Sequence, residues 1–170
     1  MIGWPPPLRP NAVETIALPQ GPVELPKVCV HFKLWTGTPL ADTYGHKAAL
    51  DWLGEPVFAE LAILRAFQAD GWEGRWVDSY RRQYRMQLPG NPSVALPDDR
   101  EALLNRLRKA TGTYGGCFDV FCWKDGDIRF IEAKRSRRDA IRDGQKAWLE
   151  AALTIGLTPQ MFLIVEWTAD

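Results

Sequence analysis

The feature that most narrows the fold is a pair of β-prone runs, residues 117–123 and 128–134, separated by Lys124-Asp125-Gly126-Asp127. Asp-Gly between two such runs is a strong local signal for a two-residue hairpin, because both turn positions need a positive φ that Asp tolerates and Gly adopts freely. If Asp125-Gly126 is the turn, Lys124 faces Asp127, and counting back along both strands sets Asp119 opposite Glu132. Side chains alternate along a strand, so Glu132 and Lys134 share a face with Asp119, Phe121, Trp123, Ile128 and Phe130. A polar trio therefore ends an otherwise apolar face. Opposed carboxylates have Cβ atoms only about 5 Å apart and repel each other, which a divalent cation would compensate. Inward charges beside a hydrophobic patch are costly unless paired or metal-bound, and that cost makes the trio a candidate functional site.

The rest of the chain supplies layers for this hairpin. A helix is expected from Pro56 to about Asp70, with proline in its first turn, Glu60 near its positive end and Gly71 as its stop. Residues 72–78 read as an aromatic strand, and residues 88–97 as a Pro/Gly-rich connection. Residues 101–110 read as a helix capped by Asp98-Asp99, residues 142–155 as a helix closed by Gly156, and residues 160–167 as a nearly all-apolar strand. Helix, strand, helix, hairpin, helix, strand is an α/β or α+β order, with a central mixed β-sheet flanked by helices. Residues 1–54 are rich in Pro and Gly, with one strand-like run at residues 28–32. They are expected to form an irregular lead segment that packs on a main domain of residues 55–170.

Composition excludes several classes. A chain of 170 residues that is 46% apolar and 25% charged is expected to fold as one domain, not as a disordered, collagen-like or coiled-coil protein. Nothing approaches about 18 uninterrupted apolar residues and the N-terminus lacks the regions of a signal peptide, so a cytoplasmic protein with no membrane segment is expected. Cys29, Cys117 and Cys122 show no C-x-x-C spacing and read as buried thiols. His31 and His46 have no motif-like neighbours and read as structural or surface residues. Lys plus Arg equals Asp plus Glu, 21 each, so overall charge gives no support to nucleic-acid binding. Two local runs are basic: Arg81, Arg82 and Arg85, then Lys134, Arg135, Arg137, Arg138 and Arg142. A solvated face is the ordinary explanation of such runs, but the second directly follows the strand that carries the acids.

Three segments together resemble a known family: Gly115-Gly116-Cys117-Phe118-Asp119, Ile131-Glu132-Ala133-Lys134, and Asp139-x-Ile141-Arg142-x-x-Gln145-x-x-Trp148-Leu149. The combination is similar to the VRR-NUC branch of the PD-(D/E)XK nuclease superfamily, over roughly residues 115–167. Phe118 stands where that family has a proline. The resemblance implies a restriction-endonuclease-like core and a metal-dependent nuclease that hydrolyses phosphodiester bonds in DNA, with structure-selective action of the repair or recombination type. It implies Mg²⁺ or Mn²⁺ held by Asp119, Glu132 and the Ala133 carbonyl, with Lys134 orienting or helping to deprotonate the attacking water and offsetting the charge that develops on the phosphate. Gln145 would hydrogen-bond the water, Lys134 or a phosphate, and Glu60 is the candidate for an additional family glutamate on the first helix. Arg135, Arg137, Arg138 and Arg142 would contact the phosphate backbone without reading sequence. Homodimers are frequent among small nucleases of this kind. Two other readings stay open: a catalytically inactive nucleic-acid-binding or protein-interaction module on the same fold, and an unrelated α/β binding domain whose Trp-rich N-terminal half recognises a ligand or protein.

Overall fold

A mixed sheet of seven strands organises residues 2–170, which the computed structural model describes. In chain order the elements are β1 (Ala12–Leu18), β2 (Gly21–Phe32), β3 (Leu50–Trp52), β4 (Glu55–Val57), α1 (Ala59–Ala69), β5 (Glu73–Asp78), β6 (Gln83–Arg85), α2 (Asp98–Thr111), β7 (Val120–Lys124), β8 (Asp127–Arg135), α3 (Asp143–Thr154) and β9 (Phe162–Ala169). The sheet order is β1-β2-β9-β8-β7-β5-β6, and β3 and β4 form a separate ribbon. β9 runs parallel to both β2 and β8, while the other neighbours are antiparallel. The expected mixed sheet flanked by helices is the architecture observed.

The hairpin folds as its turn residues dictate. Asp125 and Gly126 have φ of 47° and 86°, and the ladder runs from Lys124↔Asp127 to Val120↔Ile131 in the register counted from the sequence. β8 lies between β7 and β9, with α1 packed on one face and α2 and α3 on the other, so both of its faces are covered and it reads as nearly continuous apolar sequence. Alternate residues of β8 and β9 enter different cores. Ile131, Leu163 and Val165 pack with α1, whereas Phe130, Phe162 and Ile164 pack with Leu104 and Leu107 of α2 and Trp148 and Leu149 of α3. Trp148, Leu149 and Ala152 are thus core residues.

The lead segment departs from expectation. Residues 12–32 are not irregular: β1 and β2 form a hairpin that extends the main sheet through the parallel pairing of β2 with β9. Pro22 and Pro26 hide this strand in the sequence, because proline normally argues against a paired position. Both lie in the part of β2 that has only β1 beside it, since pairing with β9 begins at Lys27. Smaller differences follow the same logic of local context. Residues 55–57 form β4 and the helix begins at Ala59; α2 begins at Asp98, so Asp98 and Asp99 sit in its first turn and act on the helix dipole, with Pro97 in the cap position. Cys117 and Cys122 are buried, but Cys29 is exposed. Among the described residues, no helix is long and apolar enough to cross a membrane.

Candidate active site at one end of the sheet

Three strand ends and two helix starts meet around a cleft of about 520 Å³. The end of β5 brings Asp78, the residue before β7 is Asp119, and β8 contributes Glu132 and Ala133. Glu60 comes from the first turn of α1, Gln145 from the first turn of α3, and Tyr44 and Lys47 from the turn of residues 42–47.

Asp119 reaches this position through a close approach of backbone to backbone. Gly116 has φ +90°, and a Cβ there would lie 2.3 Å from the Gly144 carbonyl oxygen, so only glycine lets the chain pass under the start of α3. The Asp119 carbonyl accepts from the Val77 N–H at 2.7 Å, and its Oδ2 accepts from the Ala133 N–H at 3.0 Å. That second bond fixes the carboxylate against β8 directly beside Glu132. Glu132 Oε1 accepts from Gln145 Nε2, and Gln145 Oε1 in turn accepts from the Arg142 N–H at 2.9 Å, so the amide of Gln145 is held from both ends. Glu132 Oε2 is buried with no hydrogen-bond partner. Burial, with the charge of Glu60, pushes the Asp119 carboxyl up to about 7 despite the opposing pull of Lys47 and the Ala133 N–H. Burial, then the charge of Asp119, holds the Glu132 carboxyl well above the usual range. Desolvation beside a like charge is the arrangement that favours a proton or a cation between two carboxylates.

Glu60 is only 4% exposed and accepts a hydrogen bond from Lys47 Nζ. Burial pulls the Lys47 ammonium down, but Glu60, helped by Asp119 and Glu132, outweighs it and leaves the group raised and charged. The turn that carries Lys47 is fastened by Arg81 to Asp42 at 2.9 Å and by the Tyr44 hydroxyl donating to Asp78. Asp78 itself is buried against Arg85, with Nε donating at 2.7 Å. The first basic run is therefore engaged by the chain itself: buried Arg85 pairs with Asp78, while exposed Arg81 also stacks 4.4 Å over the Tyr44 ring and exposed Arg82 lies over Tyr114.

Of the residues singled out from sequence, Asp119, Glu132, Ala133, Gln145, Glu60 and Arg142 line the cleft. Lys134 does not. Expected beside the carboxylates, it donates instead to Glu14 Oε1 of β1, an edge strand of the same sheet, at 2.7 Å. Arg135 lies 5.2 Å over the Trp167 ring, and Arg137 and Arg138 are exposed in the turn after β8, outside the cleft lining. The sequence reading missed Lys47, Tyr44, Asp78 and Trp76. Residues 42–47 carry no periodicity, and only the long-range bonds to Glu60 and Asp78 reveal their place. No family model, curated protein or solved structure matches this chain.

Chemically, the cleft offers an excess of acid. Among the described residues, no three His, Cys, Asp or Glu side chains converge into a ready-made metal cage. The donor set is smaller: two adjacent carboxylates, one with an unpartnered oxygen, and the backbone at Ala133. Mg²⁺ and Mn²⁺ accept such a set, since hard cations take oxygen ligands and Mg²⁺ is commonly held by one or two carboxylates with several waters retained.

Proposed function

We propose that this cleft is the active site of a metal-dependent nuclease that hydrolyses phosphodiester bonds in DNA, built on a restriction-endonuclease-like core. The observation that carries this reading is half-buried Asp119 set against buried Glu132 with Glu132 Oε2 left unpartnered, an arrangement that is unfavourable unless a proton or a cation joins it. Asp119, Glu132 and the Ala133 carbonyl would hold Mg²⁺ or Mn²⁺. When bound, the ion lowers the pKa of water and draws charge from the phosphoryl oxygens. Gln145 fixes one oxygen of Glu132 and leaves the other without a hydrogen-bond partner. Arg142 at the cleft wall and Arg137 and Arg138 in the exposed turn beyond β8 support contact with the phosphate backbone. The starts of α1 and α3 add their partial positive charge on the same side. In the hydrolysis, the water oxygen bonds to phosphorus, one P–O bond to a sugar oxygen breaks, and that oxygen receives a proton.

The test is cleavage of labelled branched, nicked, single-stranded and duplex DNA by the full chain in Mn²⁺, Mg²⁺ or EDTA. Cleavage that requires the metal and disappears in Glu132→Gln supports the reading; a folded wild type that cuts nothing in any metal sinks it. One observation favours the rival, a catalytically inactive DNA-binding module: the motif lysine, Lys134, is committed to Glu14. That rival predicts DNA binding whose affinity is indifferent to Mn²⁺.

A further inference from the structure

With Lys134 tied to β1, the cleft still contains an ammonium. Among the described residues, Lys47 is the only lysine lining it, and Arg142 is the only other basic side chain there. Its Nζ donates to Glu60 and lies 5.7 Å from the centre of the Tyr44 ring and 5.9 Å from that of Trp76. The turn bearing it is a costly one: Tyr44, Gly45 and His46 have φ of 51°, 76° and 72° in succession. Left-handed backbone at two non-glycine residues persists only where the surroundings impose it. Here they do, through Asp42 to Arg81, Tyr44 to Asp78 and Lys47 to Glu60. Two of the three attachments end on cleft residues, so the turn presents its lysine to the cleft in a defined place.

We propose that Lys47 is the catalytic lysine of this cleft: its ammonium faces the phosphoryl group under attack and balances the charge that builds there, the role the Glu-x-Lys motif assigns to Lys134. Fixed positive charge at the position where negative charge develops is the usual source of a large electrostatic contribution. Lys134 does not line the cleft and is instead held by Glu14. This inference rests on the nuclease reading, and its failure can be told apart from the failure of that reading.

The experiment compares wild type, Lys47→Met, Lys47→Arg and Lys134→Met as full chains. Each is assayed for Mn²⁺-dependent cleavage of labelled single-stranded and branched DNA and, separately, for Mn²⁺ affinity by calorimetry. Lys47→Met is expected to lower kcat at least about 100-fold with KM nearly unchanged, while Lys47→Arg retains most of the rate and Lys134→Met stays within about fivefold of wild type. Without DNA, Lys47→Met is expected to bind Mn²⁺ about five- to tenfold more tightly, because a like charge beside Asp119 and Glu132 is gone; Lys134→Met should not change the affinity. An inactive Lys134→Met beside an active Lys47→Met overturns the proposal while the nuclease reading survives. Unchanged Mn²⁺ affinity in Lys47→Met also overturns it. A wild type that binds Mn²⁺ but cuts nothing overturns both. Should Lys47→Met fail to fold because Glu60 is left buried and unpaired, Lys47→Met combined with Glu60→Gln is compared in the calorimetry with Glu60→Gln alone, and the tighter Mn²⁺ binding is expected in the double variant.

Discussion

Two charge clusters lie a few residues apart along β8, and they are put together differently. On the sheet face toward α3, Lys134 and Lys27 both donate to Glu14, at 2.7 and 2.8 Å, and Lys27 also pairs with Glu166, which accepts from the Ser136 hydroxyl at 2.8 Å. Two ammonium groups meet two carboxylates. Burial raises the Glu14 carboxyl, but Lys134 and Lys27 more than offset it and leave it below its ordinary value; Glu166 is lowered by the same kind of partner. In the cleft, Asp119, Glu132 and Glu60 share the single ammonium of Lys47, and the first two carboxyls are pushed up. Glu132 and Lys134 are two positions apart on one strand, yet one belongs to a neutral network and the other to an acidic excess. Such an excess weakens the fold, and a site that tolerates it is a candidate for function.

The largest expected effect comes from the acids of the cleft. Glu132→Gln and Asp119→Asn should each cut Mn²⁺-supported DNA cleavage about a thousandfold, the loss of roughly 4 kcal/mol of transition-state stabilisation. Initial rates that stay within about tenfold of wild type would remove the contrast between the clusters.

Next in size is the response to metal. Mn²⁺ at about 100 times its dissociation constant should stabilise the wild type by roughly 2.7 kcal/mol, a rise of about 5 to 10 °C in melting temperature. Asp119→Asn combined with Glu132→Gln should show none of this rise. Glu14→Gln should keep all of it, since the sheet network needs no cation.

Without metal, pH separates the clusters more gently. A carboxyl raised by folding binds more protons folded than unfolded. Its favourable share of stability is therefore complete below the unfolded pKa, about 4, and is lost as pH rises through the folded value. For Asp119 that upper value is about 7. Asp119→Asn should thus raise the melting temperature by about 4 °C at pH 8 and change it little at pH 4. The same shift at both pH values would mean that Asp119 is not under electrostatic stress.

The smallest effect belongs to the balanced network. Its members are partly solvated, with the side chains of Glu14 and Lys27 at 20% and 17% exposure, so Glu14→Gln should cost only about 1 kcal/mol. Urea denaturation in low and high salt checks this. The cost should shrink in about 1 M NaCl, where exposed charges are screened.

Local rules made much of the sheet legible. Asp125-Gly126 specifies the hairpin turn and with it the register that continues back to Asp119 beside Glu132, while Gly71 and Gly156 mark helix stops and the apolar run before Trp167 marks β9. These features act over a few residues, so a single sequence displays them. The long β2 strand was hidden because a proline's fitness depends on whether a second strand lies beside it, a fact about β9 and not about Pro22 or Pro26.

The carboxylate pair of the cleft could thus be derived from the sequence alone, since adjacent strands joined by a two-residue turn leave little freedom in what faces what. Only the tertiary structure decided which lysine accompanies them. Lys134 is drawn to Glu14, 120 residues away, and Lys47 is carried to Glu60 by a turn held through Tyr44 and Asp78, 34 residues apart. A side chain as long and flexible as lysine goes to whichever acid the packed fold places within reach, and no pattern along the chain encodes that distance.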